Sequence, residues 1–171
     1  MKKPSRKNNR IPHYDYSSPG EYFVTVCTSG REKIFWNVVG AIIDRPDAEY
    51  LNDDGKKVAR LIESIPTRYP AVSVDNYAVM PNHIHMLLRI NSDSDGRSMI
   101  APTISTVVQQ LKGAAAKAIR PGIWQKSFYD HVVRDDADYK EKWEYIESNP
   151  SKWLAVSYTH LRAHETGRNL V

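Results

Sequence analysis

The chain has 171 residues, 41% hydrophobic and 26% charged, enough for one domain with one sizeable core and no need of covalent staples. A single cysteine, Cys27, excludes an intrachain disulfide framework and is read as a small buried hydrophobe on a strand. No apolar run approaches the roughly 18 residues of a membrane span, so a cytoplasmic protein with no membrane partner is expected.

The formal net charge of +4 is unevenly spread, because Lys2, Lys3, Arg6, Lys7 and Arg10 lie near the N-terminus with no acid among them. Residues 1–19 read as a basic arm beside a nearly neutral body, suited to gripping DNA phosphates or serving only as a solubilising start. Residues 21–28, EYFVTVCT, mix aromatic and β-branched types after Ser-Ser-Pro-Gly and read as a strand. Residues 34–50 are compatible with a short hairpin before the Arg-Pro-Asp turn. Asn52-Asp53-Asp54 forms an N-cap, and Val58, Leu61, Ile62 and Ile65 then fall at helical spacing up to about Tyr69, where Pro70 stops the helix.

Val72, Val74, Asn76 and Ala78 alternate with Ser73, Asp75 and Tyr77 as a strand, and Met-Pro-Asn turns the chain into a second strand, HIHMLLRI. After the loop SDSDGRS, Thr103 or Ser105 caps a helix to Arg120 with Val107, Val108, Leu111, Ala115 and Ile119 on one face. Pro121-Gly122 ends it. Phe128 to Arg134 is a fourth strand, and Asp135-Asp136 opens a last helix reaching about Asn149. The order β-α-β-β-α-β plus a helix predicts an α+β, ferredoxin-like (split β-α-β) fold, an antiparallel sheet with helices on one face and a further C-terminal helix.

The C-terminal run departs from this pattern. VSYTHLRAHET is what a common sequencing-library adapter encodes in this frame, and TGRNLV is compatible with its continuation. The native domain is therefore expected over 20–155, with 156–171 a read-through segment. His160 and His164, four apart, are for that reason not read as a metal pair.

Two features carry chemistry. His83-Ile84-His85 lies on a strand, so both imidazoles project from one face while Ile84 enters the other, and together they suit one divalent metal. On the last helix, Tyr145 and Asn149 are i and i+4 and share a face, and the Asn149 carbonyl oxygen suits a hard cation. Pro150 makes that facial argument approximate. Taken singly, each feature also reads as structural: a chance His-x-His, a core tyrosine, a helix-stopping asparagine.

Three segments in fixed order, MPNHIHMLL, WQKSFYDHVVRD and YKEKWEYIESNPSKW, resemble the HUH single-tyrosine transposases, in particular the REP-associated tyrosine transposases. The resemblance runs from about Tyr22 to Trp153. It implies a metal-dependent single-stranded DNA endonuclease and strand transferase that cleaves beside palindromic hairpins, with Mg2+ or Mn2+ as cofactor. His83 and His85 are implied as metal ligands, Asn149 as the residue completing the shell, and Tyr145 as the nucleophile. A phenol of pKa about 10 then needs activation before it attacks phosphorus. The product implied is a 5′-phosphotyrosine with a free 3′ hydroxyl. His131 is expected first as a structural hydrogen-bonding residue, with assistance to the chemistry as the alternative.

Lys112, Lys117 and Arg120 are candidate phosphate partners alongside Lys2, Lys3, Arg6, Lys7 and Arg10. Trp124 and Tyr129 can stack on bases or serve the core. The alternatives are a non-catalytic hairpin-DNA or RNA binder on the same fold, a replication initiator or relaxase, and a structural zinc protein, against which the single cysteine and the lack of a CxxC in this chain weigh. Monomer and homodimer both remain open.

Overall fold

The structure, a computed structural model, describes residues 14–37, 50–92 and 102–166, with side chains to residue 156. Lys2, Lys3, Arg6, Lys7 and Arg10 of the basic arm, and most of the hairpin expected at 34–50, lie outside the described residues. Strands β1 (Gly20–Cys27), β2 (Val72–Met80), β3 (His83–Ile90) and β4 (Tyr129–Val132) form one antiparallel sheet in the order β2-β3-β1-β4. Helix α1 (Asp53–Glu63) and the short α2 (Ile65–Arg68) connect β1 to β2, and α3 (Ile104–Ala118) connects β3 to β4. This is the split β-α-β arrangement expected from the order of elements. No helix among the described residues is long and apolar enough to cross a membrane.

The two faces of the sheet do different work. Tyr22, Val24 and Val26 of β1 and Ile84, Met86 and Leu88 of β3 are completely or almost completely buried, in one core with Val58 and Ile62 of α1 and Val107, Val108 and Leu111 of α3. The intervening residues, Phe23, Thr25 and Cys27 against Leu87, His85 and His83, point the other way by strand alternation. That second face meets the last helix, α4 (Asp136–Thr166), which packs against β2 and β3. Ile84 therefore supports the histidine strand from behind. Ile84→Ala is expected to lower unfolding stability by about 2–5 kcal/mol in urea titration, the usual range for emptying a buried aliphatic site.

Local chemistry sets the element ends. Asn52 accepts from the Gly55 N–H, and its amide donates to the Ile34 and Trp36 carbonyls at 2.9 and 3.3 Å, tying the start of α1 to the preceding loop. A Cβ at Gly55 would run into the Phe35 carbonyl, so glycine is required by that close approach. The helix expected to reach Tyr69 instead breaks at Ser64, because Pro66 has no N–H to offer the Ile62 carbonyl. Thr103 caps α3 by accepting from the Thr106 N–H.

Two expectations need correction. The alternation of β2 is interrupted by a bulge between Val74 and Asn76. Val72 and Val74 pair with Ile90 and Leu88, whereas Asn76 and Ala78 pair with Leu87 and His85 on the opposite face. The bulged Asp75 takes Arg89 Nε and Nη2, each at 2.9 Å, and the Tyr139 hydroxyl at 3.1 Å, which binds α4 to the sheet. Secondly, α4 continues beyond Asn149 and Pro150 to Thr166, including most of the segment expected to lack helical period. Pro150 deletes one backbone donor, but Trp153 and Leu154 still pack on the core beyond it, which favours continuation.

Candidate active site

The face covered by α4 carries the histidine pair. His83 and His85 stand one pleat apart on β3, with Nε2 atoms 3.0 Å from each other. His83 Nδ1 lies 2.7 Å from Asn82 Oδ1, and His85 Nδ1 lies 2.8 Å from Thr25 Oγ1, its cross-strand partner. Burial lowers the His83 pKa to about 4, helped by the positive charge of Arg31. Burial lowers that of His85 to about 3, helped by His83. Both imidazoles are therefore neutral at neutral pH, with lone pairs available to a cation.

Tyr145 of α4 packs edge-on against His85, ring centroids 5.2 Å apart, and against Phe23 at 5.9 Å. It remains 45% exposed, so the phenol is accessible while its ring is fixed. Two turns later Trp153 meets His83 at 6.1 Å. Asn149 lies between them on the same helical face. It makes no hydrogen bond to either histidine, and its amide nitrogen is buried without a partner. Among the described residues no cluster of three His, Cys, Asp or Glu surrounds the pair.

His83, His85 and Tyr145 border an open cleft of about 470 Å³ that also takes in Arg31, Tyr129 and Lys142. Tyr129, opposite Thr25 in the register, is 47% exposed. Trp124, weighed with it for base stacking, is instead a core residue against Phe35. Cys27 is partly exposed beside His83 and lines the cleft, contrary to the expected buried position, because it shares strand parity with Thr25. His131 bonds Asp138 at 2.8 Å, and Asp138 also accepts the Arg134 N–H, so His131 secures the start of α4.

The cations proposed on the third helical segment are not brought to this cleft. Lys112 donates to the carbonyls of Gln125 and Lys126, at 2.6 and 3.1 Å, and Arg120 pairs with Glu32. Lys117 is exposed on the surface of α3. Arg31, Thr25 and Asn82 were not singled out from the sequence. Asn82 adjoins the histidine motif, which is a usable signal, whereas Thr25 is found only through the β1–β3 register.

No protein-family model matches the chain. A Haemophilus influenzae protein named "Uncharacterized protein" is 29% identical over 167 residues, covering 86% of this chain and 89% of its own length. A second protein of that organism, named "Putative REP-associated tyrosine transposase", is 25% identical over 146 residues, 81% of this chain and 74% of its own. A solved REP-associated tyrosine transposase bound to a REP hairpin matches with a TM-score of 0.55 at 20% identity, over 84% of this chain and 74% of that one, a likeness of fold. One of these two sequence relatives thus carries the family name that the three sequence segments suggest, and the solved structure of that name shares the fold.

Proposed function

We propose that this chain, similar to REP-associated tyrosine transposases in sequence and fold, is a metal-dependent endonuclease and strand transferase acting on single-stranded DNA beside a hairpin. One observation carries the reading: an accessible phenol, Tyr145, is held against His85, one of two paired neutral imidazoles, in an open cleft. A core tyrosine has no need of that exposure. The REP hairpin bound by the solved relative supports hairpin DNA as the partner.

The chemistry of the histidine pair supports a divalent cation as cofactor. Two neutral imidazoles converge through Nε2, and Asn149, whose amide nitrogen is buried without a partner, shares a helical face with Tyr145 without lining the cleft itself. Rotating that amide exchanges nitrogen for oxygen, so Asn149 can offer Oδ1. His83, His85 and Asn149 would hold Mg2+ or Mn2+, which when bound polarises the scissile phosphate and offsets charge growing on its oxygens.

The chain's own residues do the rest. Arg31, exposed and with no carboxylate partner among the described residues, attracts the phosphate, and the exposed Tyr129 ring offers a stacking surface for a flanking base. Tyr145 Oη attacks phosphorus. The bond to the 3′ oxygen breaks, that oxygen leaves as a hydroxyl, and a 5′-phosphotyrosine remains. A phenolate is a good leaving group, so a DNA 3′ hydroxyl can reverse the step and transfer the strand without ATP.

The test is incubation with labelled single-stranded hairpin DNA and Mn2+, followed by a denaturing gel. A covalent protein–DNA adduct is expected. His83→Ala and His85→Ala should lose Mn2+ binding and cut adduct formation by roughly a thousandfold, since the metal's charge stabilisation is worth several kcal/mol. Hairpin binding without adduct across a panel of palindromes would make the chain a binding protein instead.

A further inference from the structure

We propose that Thr25 and Asn82 are positioning residues that set the tautomers of His85 and His83, with Thr25 acting as a hydroxyl that serves both the empty and the loaded pair. The inference rests on reading the pair as a metal site, but it makes a claim about the metal-free protein that stands or falls alone.

A neutral imidazole has one N–H and one lone pair. The two Nε2 atoms face each other at 3.0 Å, so they are satisfied only if one carries a proton or a cation lies between their lone pairs. Asn82 decides the state of His83. Its Nδ2 donates to the Arg31 carbonyl at 3.3 Å, which leaves Oδ1 facing His83 Nδ1 at 2.7 Å. An amide oxygen only accepts, so His83 Nδ1 carries the hydrogen and its Nε2 keeps the lone pair.

The Arg31 carbonyl is itself aimed by unusual backbone. Gly30 and Arg31 both adopt left-handed conformations, at φ 59° and 57°, the second rare for a side-chain-bearing residue. The turn is closed by the Arg31 N–H to the Thr28 carbonyl at 3.2 Å and by the Thr28 hydroxyl to the Glu32 carbonyl at 2.8 Å. Thr28 also bonds the Asn82 carbonyl through its N–H at 3.0 Å, and its single hydroxyl hydrogen is shared between the Glu32 and Asn82 carbonyls. Turn and histidine strand are thus locked to one another.

Thr25 meets His85 differently. A hydroxyl can donate or accept, and Thr25 Oγ1 lies 2.8 Å from His85 Nδ1. In the metal-free protein His85 carries its hydrogen on Nε2, donates to His83 Nε2, and accepts from the Thr25 hydroxyl at Nδ1. Every ring nitrogen is then paired. For both lone pairs to face a cation, the His85 hydrogen must move to Nδ1, and Thr25 must rotate its own hydrogen away and accept. Valine at this position serves neither state, while serine serves both. Such outer partners ordinarily change metal affinity by roughly 10–100-fold.

Nitrogen-15 NMR of the imidazoles, at neutral pH in chelator, reads the tautomers directly. His83 is expected as the Nδ1–H form and His85 as the Nε2–H form, and Zn2+, a diamagnetic probe, should move the His85 hydrogen to Nδ1. By calorimetry Thr25→Val should weaken Zn2+ and Mn2+ binding by about 10–100-fold, and Thr25→Ser should keep it within about threefold. Thermal unfolding checks that Thr25→Val is folded, and Thr25→Ser carries the test if it is not. His85 found as Nδ1–H without metal, or Thr25→Val binding metal like the parent protein, overturns the proposal. A parent protein that binds neither metal overturns the metal reading, while the metal-free tautomers still decide whether Thr25 and Asn82 act as described.

Discussion

Tyr145→Phe is expected to abolish the covalent protein–DNA adduct, lowering cleavage by at least roughly a thousandfold while leaving Mn2+ and hairpin binding intact. The substitution removes one oxygen and keeps the ring. Ring contacts to His85 and Phe23, at 5.2 and 5.9 Å, are kept, and the neighbouring Ile146 is buried in the core, so the helix should stay where it is. Because the side chain is 45% exposed, its hydroxyl is not part of a buried network whose loss could unfold the protein. Stability by urea titration should change by less than about 1 kcal/mol, the usual range for substitutions outside the core. Retained cleavage in this variant would remove Tyr145 from the chemistry.

Acidification of the metal-free protein should produce the second large effect. An unfolded histidine titrates near pH 6.5. In the folded chain burial lowers His83 to about 4 and His85 to about 3. As pH falls below about 6.5 the unfolded chain therefore takes up protons first, and stability present above that pH is lost progressively down to the folded values. At pH 5 the loss is roughly 2 kcal/mol for each histidine, or on the order of 2–4 kcal/mol for a pair whose protons compete. Denaturation midpoints in chelator at pH 7.5 and 5 measure it. His85→Leu should remove about half of the drop. At Asp138 burial raises the pKa, but the bonds from His131 and the Arg134 N–H together outweigh it and hold the carboxyl below its ordinary value, so its contribution is lost only at lower pH, outside this window.

How much of this was legible in the chain follows from the range of the forces involved. The histidine strand was readable because side chains alternate with period two, which is local. The last helix was readable because Asp135 and Asp136 mark its start, and Asp135 does accept the Asp138 N–H at 2.9 Å. Its end was not. A proline in a helix is a strong local stop, but the packing of Trp153 and Leu154 beyond it is a tertiary effect. The bulge in β2 was hidden for the same reason: Asp75 leaves the alternation to meet Arg89 and Tyr139, neither of them a near neighbour in sequence.

Within the site, residue type was a poorer guide than strand parity. Cysteine is usually buried, which points Cys27 to the core, yet it shares a face with Thr25 and lines the cleft. Lys112 had the charge for a phosphate contact, but its ammonium closes the loop after α3 through two carbonyls. Arg31 carried no local signal at all. Its place at the cleft depends on a left-handed turn that only the contacts of Thr28 and Asn82 explain.

Two exposed tyrosines border this cleft, Tyr145 at 45% and Tyr129 at 47%, so accessibility alone does not choose the nucleophile. The most direct test is to form the adduct on hairpin DNA, digest it with nuclease and trypsin, and locate the nucleotide by mass spectrometry. The added mass is expected on the segment Trp143 to Lys152, WEYIESNPSK, whose one tyrosine is Tyr145. A nucleotide on the segment Ser127 to Arg134, which holds Tyr129, would contradict it.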